Sequence, residues 1–281
     1  MTHSMHTVLA DDGETLQVSV AGQGQPLVLL HGWTASHAAW APLMASLVRT
    51  HQVIRPDARG HGGHVLSRTN TPDVARLARD LLNLLDHFDL ERAVVLGHSM
   101  GALTLWQFIR DHGCDRLDKL CILDQSPKLM TDANWRHGIY GDFDAARSRQ
   151  FMAELAQDLP EAVLRLVALG RNAKARETYL RDSKGWRMLR EALRPLASEP
   201  LIAIWQSLVS ADFRDVLPGI DRPSLLVYGR ASNFYSDECA EFVASQMAGA
   251  VLHQYDEADH CPHLMQPERF LADLQAFLED R

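Results

Sequence analysis

Four cysteines in 281 residues, at positions 114, 121, 239 and 261, are too few and too scattered for a disulfide framework. The N-terminal stretch MTHSMHTVLADDGETL has no basic region running into an apolar one. No secretion signal is therefore expected, and the thiols are read as free in the reducing cytoplasm. Long apolar runs are missing too. None approaches the roughly 20 residues of a membrane span. Positive charge is in short supply: 28 Lys and Arg stand against 36 Asp and Glu, a formal net charge of −8. That balance argues against a nucleic-acid partner and leaves a small molecule as the expected one. Internal repeats and low-complexity segments are absent. What remains is a chain 46% hydrophobic, enough for one large core, with the oligomeric state left open.

Short apolar runs punctuate the first half: ETLQVSV (14–20), PLVLLHG (26–32), HQVIRPD (51–57), AVVLGHS (93–99) and KLCILD (119–124). The second, third and fourth are each followed by a helical pattern, over about 36–49, 72–88 and 100–112. For the middle helix, Thr71 is the expected N-cap and Pro72 the first helical residue. Near-continuous apolar strands alternating with helices predict a parallel sheet covered on both faces. After Asp124 the rhythm changes. Residues 126–215 show helical patterns and no convincing strand. Strands then return at RPSLLVYG (222–229) and AVLHQYDEADH (250–260), and a last helix is expected over 267–279. The chain therefore divides into an α/β core, 1–125 with 216–281, and an inserted helical cap, 126–215. Residues 140–195 carry 11 Lys/Arg against 8 Asp/Glu, opposite in sign to the remainder.

The stretch Gly97-His98-Ser99-Met100-Gly101 sits where a strand passes into a helix. Such a turn lifts a serine hydroxyl above the sheet edge, at a helix N-terminus where amides favour developing negative charge. Ser99 is the candidate nucleophile. It needs a base, and His260 follows the last strand at the same predicted edge; His263, three residues on, is the competitor. His260, Cys261 and His263 lack metal-ligand spacing, so neither metal nor cofactor is expected. The turn after the first long strand, HGWTASH, offers the Trp33 backbone N–H as one oxyanion donor, with the Met100 N–H as the second.

With these residues in place, HGW…W (31–40), RPDARGHG (55–62), GHSMG (97–101), YGRAS (228–232) and DHCPHLMQPERF (259–270) resemble the α/β-hydrolase fold family, in order along nearly the whole chain. The resemblance implies an eight-stranded, mostly parallel sheet, a cap over the site and a Ser–acid–His triad. The family's acid usually follows the seventh strand as Gly-x-x-Asp. Here that stretch is Gly229-Arg230-Ala231-Ser232, and a hydroxyl cannot stabilise an imidazolium as a carboxylate does. Asp124, at the end of the sixth strand, is the expected replacement. Asp237 is the alternative, and a chain without any acid the third reading. On the Asp124 reading, Ser232 is expected to be dispensable.

The leading expectation is hydrolysis of an ester, lactone or thioester through an acyl-enzyme. Haloalkane dehalogenases resemble the chain less, having Asp where this chain has Ser99. Three other readings stay open: a cofactor-free dioxygenase of hydroxyquinolone-like heteroaromatics, a carbon–carbon hydrolase of ring-cleavage products, and a non-catalytic ligand receptor. The dioxygenases resemble the chain at LDQSPKL but carry a histidine soon after the oxyanion turn, where this chain has Ala35 and Ser36, with His37 later. Of the cap aromatics Trp135, Tyr140, Phe143, Trp186, Trp205 and Phe213, the first two are expected in the substrate pocket with Trp33, being nearest Asp124 in sequence.

Overall fold

Strand residues here alternate between two apolar layers. Leu27, Leu29, Val94 and Leu96 face one layer; Val28, Leu30 and Val95 face the other, and all are buried. This two-sided burial is why the strands read as unbroken apolar runs. The computed structural model describes residues 3–64, 66 and 71–280. Its strands are β1 (His3–Leu9), β2 (Thr15–Ala21), β3 (Gln25–Leu30), β4 (His51–Pro56), β5 (Ala93–His98), β6 (Leu117–Leu123), β7 (Ser224–Gly229) and β8 (Ala250–Tyr255). They form one sheet in the order β1-β2-β4-β3-β5-β6-β7-β8. β1 and β2 pair antiparallel, as do β2 and β4; the rest are parallel.

Helices cover both faces. α1 (Ala41–Leu47) and the C-terminal α11 (Pro267–Glu279) contribute Leu43, Leu47, Phe270 and Leu274 to one layer. α2 (Val74–His87) and α3 (Met100–His112) build the other. Between β6 and β7 lie α4 (Ala145–Gln157), α5 (Leu159–Ala168), α6 (Ala173–Leu180), α7 (Lys184–Leu193) and α8 (Ser198–Ser210). Among the described residues of 126–215 only two isolated bridges, Lys128 with Asp212 and Asp132 with Trp135, have strand-type pairing. α9 (Asp237–Gln246) joins β7 to β8, and the single turn α10 (Pro262–Met265) precedes α11.

One sequence expectation is corrected. α2 begins at Val74, and its N-cap is Asp73, whose carboxylate accepts from Arg76 N–H at 2.7 Å. Thr71 and Pro72 lie just outside the helix. The edge strand β1 has no counterpart in the run of apolar segments, because HSMHTVL has few apolar residues and owes its place to pairing with β2 together with the burial of Val8.

Helix α3 approaches the sheet very closely at its first turn. A Cβ on Gly101 would sit 2.2 Å from the Leu30 carbonyl oxygen, and one on Gly97 2.6 Å from Ala102 N. The contact with Leu30 is with backbone, which cannot swing aside. Gly101→Ala is expected to cost about 1–3 kcal/mol by overpacking, seen as a lower urea midpoint with an unchanged slope.

Candidate active site

The carboxyl ends of β3, β5, β6, β7 and β8 open on the same side of the sheet, where open α/β sheets place their ligand crevice. At the end of β5 the chain turns into α3 through Ser99 at φ 52°, ψ −116°, a left-handed conformation that non-glycine residues avoid. The Ser99 N–H donates to Leu123 O, tying this turn to the end of β6. The serine side chain does not cap its own helix. Met100, the first helical residue, belongs to the turn whose N–H groups have no partner within the helix.

One residue beyond β6 is Asp124, wholly buried and also left-handed at φ 46°. Its carboxylate receives three donors. Gly229 N–H donates to Oδ1 at 3.1 Å; the Ser232 hydroxyl donates to Oδ2 at 2.7 Å; His260 Nδ1–H donates to Oδ2 at 2.6 Å. With its proton fixed on Nδ1, a neutral His260 ring keeps the Nε2 lone pair. The His260 backbone N–H donates to Asn233 Oδ1 at 3.1 Å, and Phe234 packs edge-on against the ring at 4.5 Å. His260 and Ser99 line one cavity of about 250 Å³.

The turn after β3 is braced from below. His31 Nε2 accepts from Ala58 N–H at 3.0 Å, so Nδ1 carries the hydrogen and donates to Gly32 O at 2.8 Å. Burial holds this imidazole below its ordinary pKa and keeps it neutral. Thr34 closes the turn at φ 65°. The Trp33 indole N–H donates to Leu201 O in α8 at 3.0 Å, and its ring lies 4.7 Å from that of Trp205.

Other candidates fall elsewhere. His263 is buried behind His98, with Trp40 and Phe270 also against it, and does not line the cavity. Asp237 pairs with Arg230 at 2.8 Å on the surface, away from His260. His37 binds Asp57 through Nδ1 at 2.8 Å and borders a different groove. Trp135 and Tyr140, expected from the sequence in the substrate pocket, are outside the lining of this cavity. Trp135 donates to Lys128 O and packs on Phe242 and Arg214, while the Tyr140 hydroxyl bonds Leu166 O. Their places among the helices of 126–215 are taken by Trp205, Leu208 and Leu166, which do line it. Gln125, Asn233 and Tyr235 are lining residues the sequence reading missed; their one signal is adjacency to the ends of β6 and β7. Cys261 lines the cavity as well, and desolvation pushes its thiol pKa up, keeping it protonated.

Residues 27–273 match the profile of the Alpha/beta hydrolase family. The chain belongs to that family. Within it, this alpha/beta hydrolase is 30% identical over 262 residues to the pimeloyl-[acyl-carrier protein] methyl ester esterase of Vibrio vulnificus, covering 91% of this chain and 95% of the other. It is 25% identical over 285 residues to 3-oxoadipate enol-lactonase 1 of Acinetobacter baylyi, with 98% of each chain covered. Among solved structures, an esterase from Exiguobacterium antarcticum superposes with a TM-score of 0.83 at 22% identity, covering 98% of this chain and 99% of that one, which shows the shared fold. The family and its esterase relatives make this chain a hydrolase. Among the described residues no helix is long and apolar enough to cross a membrane.

Two measurable outcomes come from this geometry. Ser232 is not a vacant acid position, because its hydroxyl holds the Asp124 carboxylate while accepting from Phe234 and Tyr235 N–H. A hydrogen bond to a charged group contributes about 1.5–3 kcal/mol, so Ser232→Ala should lower kcat roughly tenfold in steady-state ester hydrolysis rather than leave it untouched. The second outcome concerns acid. Burial, with help from neighbouring histidines, pushes His61 and His263 down to about 3 and His98 well below its usual range. Between the unfolded value near 6.5 and these folded values the unfolded chain binds more protons. The contribution of these histidines to stability is therefore fully present above about pH 6.5 and is lost as pH falls towards 3. Urea unfolding across that range should show the decline, and His263→Leu should flatten it by at most about 1.4 kcal/mol per pH unit.

Proposed function

We propose that this hydrolase cleaves a carboxylic ester-type bond of a small molecule through an acyl-enzyme. The observation that carries the proposal is the bond from His260 to the buried Asp124 at 2.6 Å, with His260 and Ser99 lining the same cavity. Ser99 attacks the carbonyl carbon. His260 Nε2 takes the hydroxyl proton and later delivers it to the leaving alkoxide. Asp124 keeps the ring in the required tautomer and stabilises the imidazolium. The Trp33 and Met100 N–H groups hold the tetrahedral oxyanion, and water admitted in the second half-reaction releases the acid.

In this reading the helices of 126–215 form a cap. They supply Val163, Leu166, Trp205 and Leu208 as an apolar wall over the nucleophile, suited to an acyl or alkyl group. The relatives act on a methyl ester and on an enol-lactone, by their names, and both bonds fall within the proposed class. The position of His37, bonded to Asp57 and outside the cavity, supports ester hydrolysis over the cofactor-free dioxygenase reading, in which a histidine from just after the oxyanion turn enters the site.

Ser99→Ala should abolish both the burst and the steady-state release of p-nitrophenol from p-nitrophenyl acetate. Asp124→Asn should lower kcat by about 10⁴-fold with an unchanged circular dichroism spectrum. Full activity in the Asp124→Asn protein would place the acid elsewhere and end the proposal in this form.

A further inference from the structure

The ester-hydrolase reading leaves open what the substrate carries besides its scissile bond, and the cavity lining bears on that. Among the described residues no Lys or Arg lines the cavity, and apart from histidines Asp259 is the one ionisable carboxylate or amine there. A carboxylate or phosphate carried into this space would be buried without a cation, a large penalty. The part of the substrate that occupies the cavity is therefore uncharged.

Two of the lining amide and hydroxyl side chains are already committed. Asn233 accepts from His260 N–H and donates to Val167 O. The Tyr235 hydroxyl donates to Gln125 Oε1. Gln125 differs. Its Oε1 accepts that hydroxyl and also Ser126 N–H at 2.7 Å. A backbone N–H can only donate, so the carboxamide orientation is settled: oxygen on Ser126 and Tyr235, NH₂ on the other side. The residue is 2% exposed, lines the cavity, and its Nε2 has no protein acceptor among the described residues. The NH₂ opens on the cavity, where an acceptor oxygen on a bound molecule can take the place of water.

We propose that Gln125 is a specificity residue whose Nε2 donates to a neutral carbonyl oxygen of the substrate, separate from the scissile carbonyl. The preferred substrates are uncharged esters bearing a second carbonyl (ketone, amide or ester), ahead of plain alkyl esters and of half-esters with a free carboxylate. The side chain does not touch the reacting bond; it selects which acyl or alkyl group seats beside Ser99.

The experiment compares matched pairs of 4-nitrophenyl esters: pentanoate with 4-oxopentanoate, hexanoate with 5-oxohexanoate, and the hydrogen glutarate as the charged analogue. Each kcat/KM is divided by the ester's hydroxide-catalysed rate, so intrinsic reactivity cancels. The wild-type protein should favour at least one oxo-ester by about tenfold, the worth of one such hydrogen bond, and should handle the glutarate worst. Gln125→Leu should bring the oxo-to-alkyl ratio within about twofold of one. Gln125→Glu keeps an acceptor for Ser126 and Tyr235 but loses the NH₂, and should push the ratio below one. Because the readout is a ratio within each protein, partial loss of folded enzyme does not imitate it. A wild-type ratio near one in every pair, or a ratio that survives Gln125→Leu, overturns the inference. Turnover that persists in Ser99→Ala would instead overturn the hydrolase mechanism. The Gln125 contrast is also read as binding alone, by calorimetric titration of Ser99→Ala and of Ser99→Ala/Gln125→Leu with the non-hydrolysable ketones heptane-2,6-dione and heptan-2-one in place of the oxo-ester and the alkyl ester. The diketone should bind the first protein about tenfold more tightly than the monoketone and the second with no preference; equal binding to the first protein overturns the inference.

Discussion

A carboxylate sealed from water has to be satisfied on all sides, and Asp124 imposes that requirement on the whole sheet edge. Its three donors come from the end of β7, from the loop that follows it and from the loop after β8. Losing any of them would leave buried negative charge undercompensated, which costs far more than the net value of an exposed ion pair. The segment carrying His260 is thus held to the segment carrying Ser232 by the same atom that orients the imidazole. Gly229 makes the arrangement possible. A Cβ there would lie 2.1 Å from Asp259 O, so the end of β7 and the histidine loop can touch only through a residue without a side chain.

Strain accompanies this order. Thr34, Ser99 and Asp124 all sit in left-handed backbone conformations, at three neighbouring strand ends. Each such residue costs about 1–3 kcal/mol. The surrounding contacts offset that: the bracing of Gly32 O by His31, the Ser99 N–H bond to Leu123 O, and the Asp124 N–H bond to Val227 O. Three non-glycine residues in this conformation at neighbouring strand ends mark backbone that its surroundings hold under strain.

Much of the sheet is legible in the sequence because its central strands are buried on both faces and flanked by turn residues, as PLVLLHG and AVVLGHS are. The edge strand β1 is not, since HSMHTVL has few apolar residues and is held by pairing with β2 together with the burial of Val8. Strand-end residues such as Ser99, Asp124 and His260 can be read as sharing one edge once the strand order is assumed. Lining by Trp205 rather than Trp135 or Tyr140 could not be read in the same way. Nearness to Asp124 in sequence is a poor guide within a helical segment of some 90 residues, where interhelix packing decides which face meets the sheet. The role of Ser232 was hidden for a related reason: a residue type that cannot replace an acid can still hold one, and only the 2.7 Å contact reveals it.

The indole of Trp33 is anchored to the Leu201 carbonyl in α8. On the proposed mechanism a single residue offers its backbone N–H to the oxyanion and its indole to α8. Displacing α8 would break that hydrogen bond or shift the β3 turn, so the position of this helix and that of one proposed amide donor are coupled through one tryptophan.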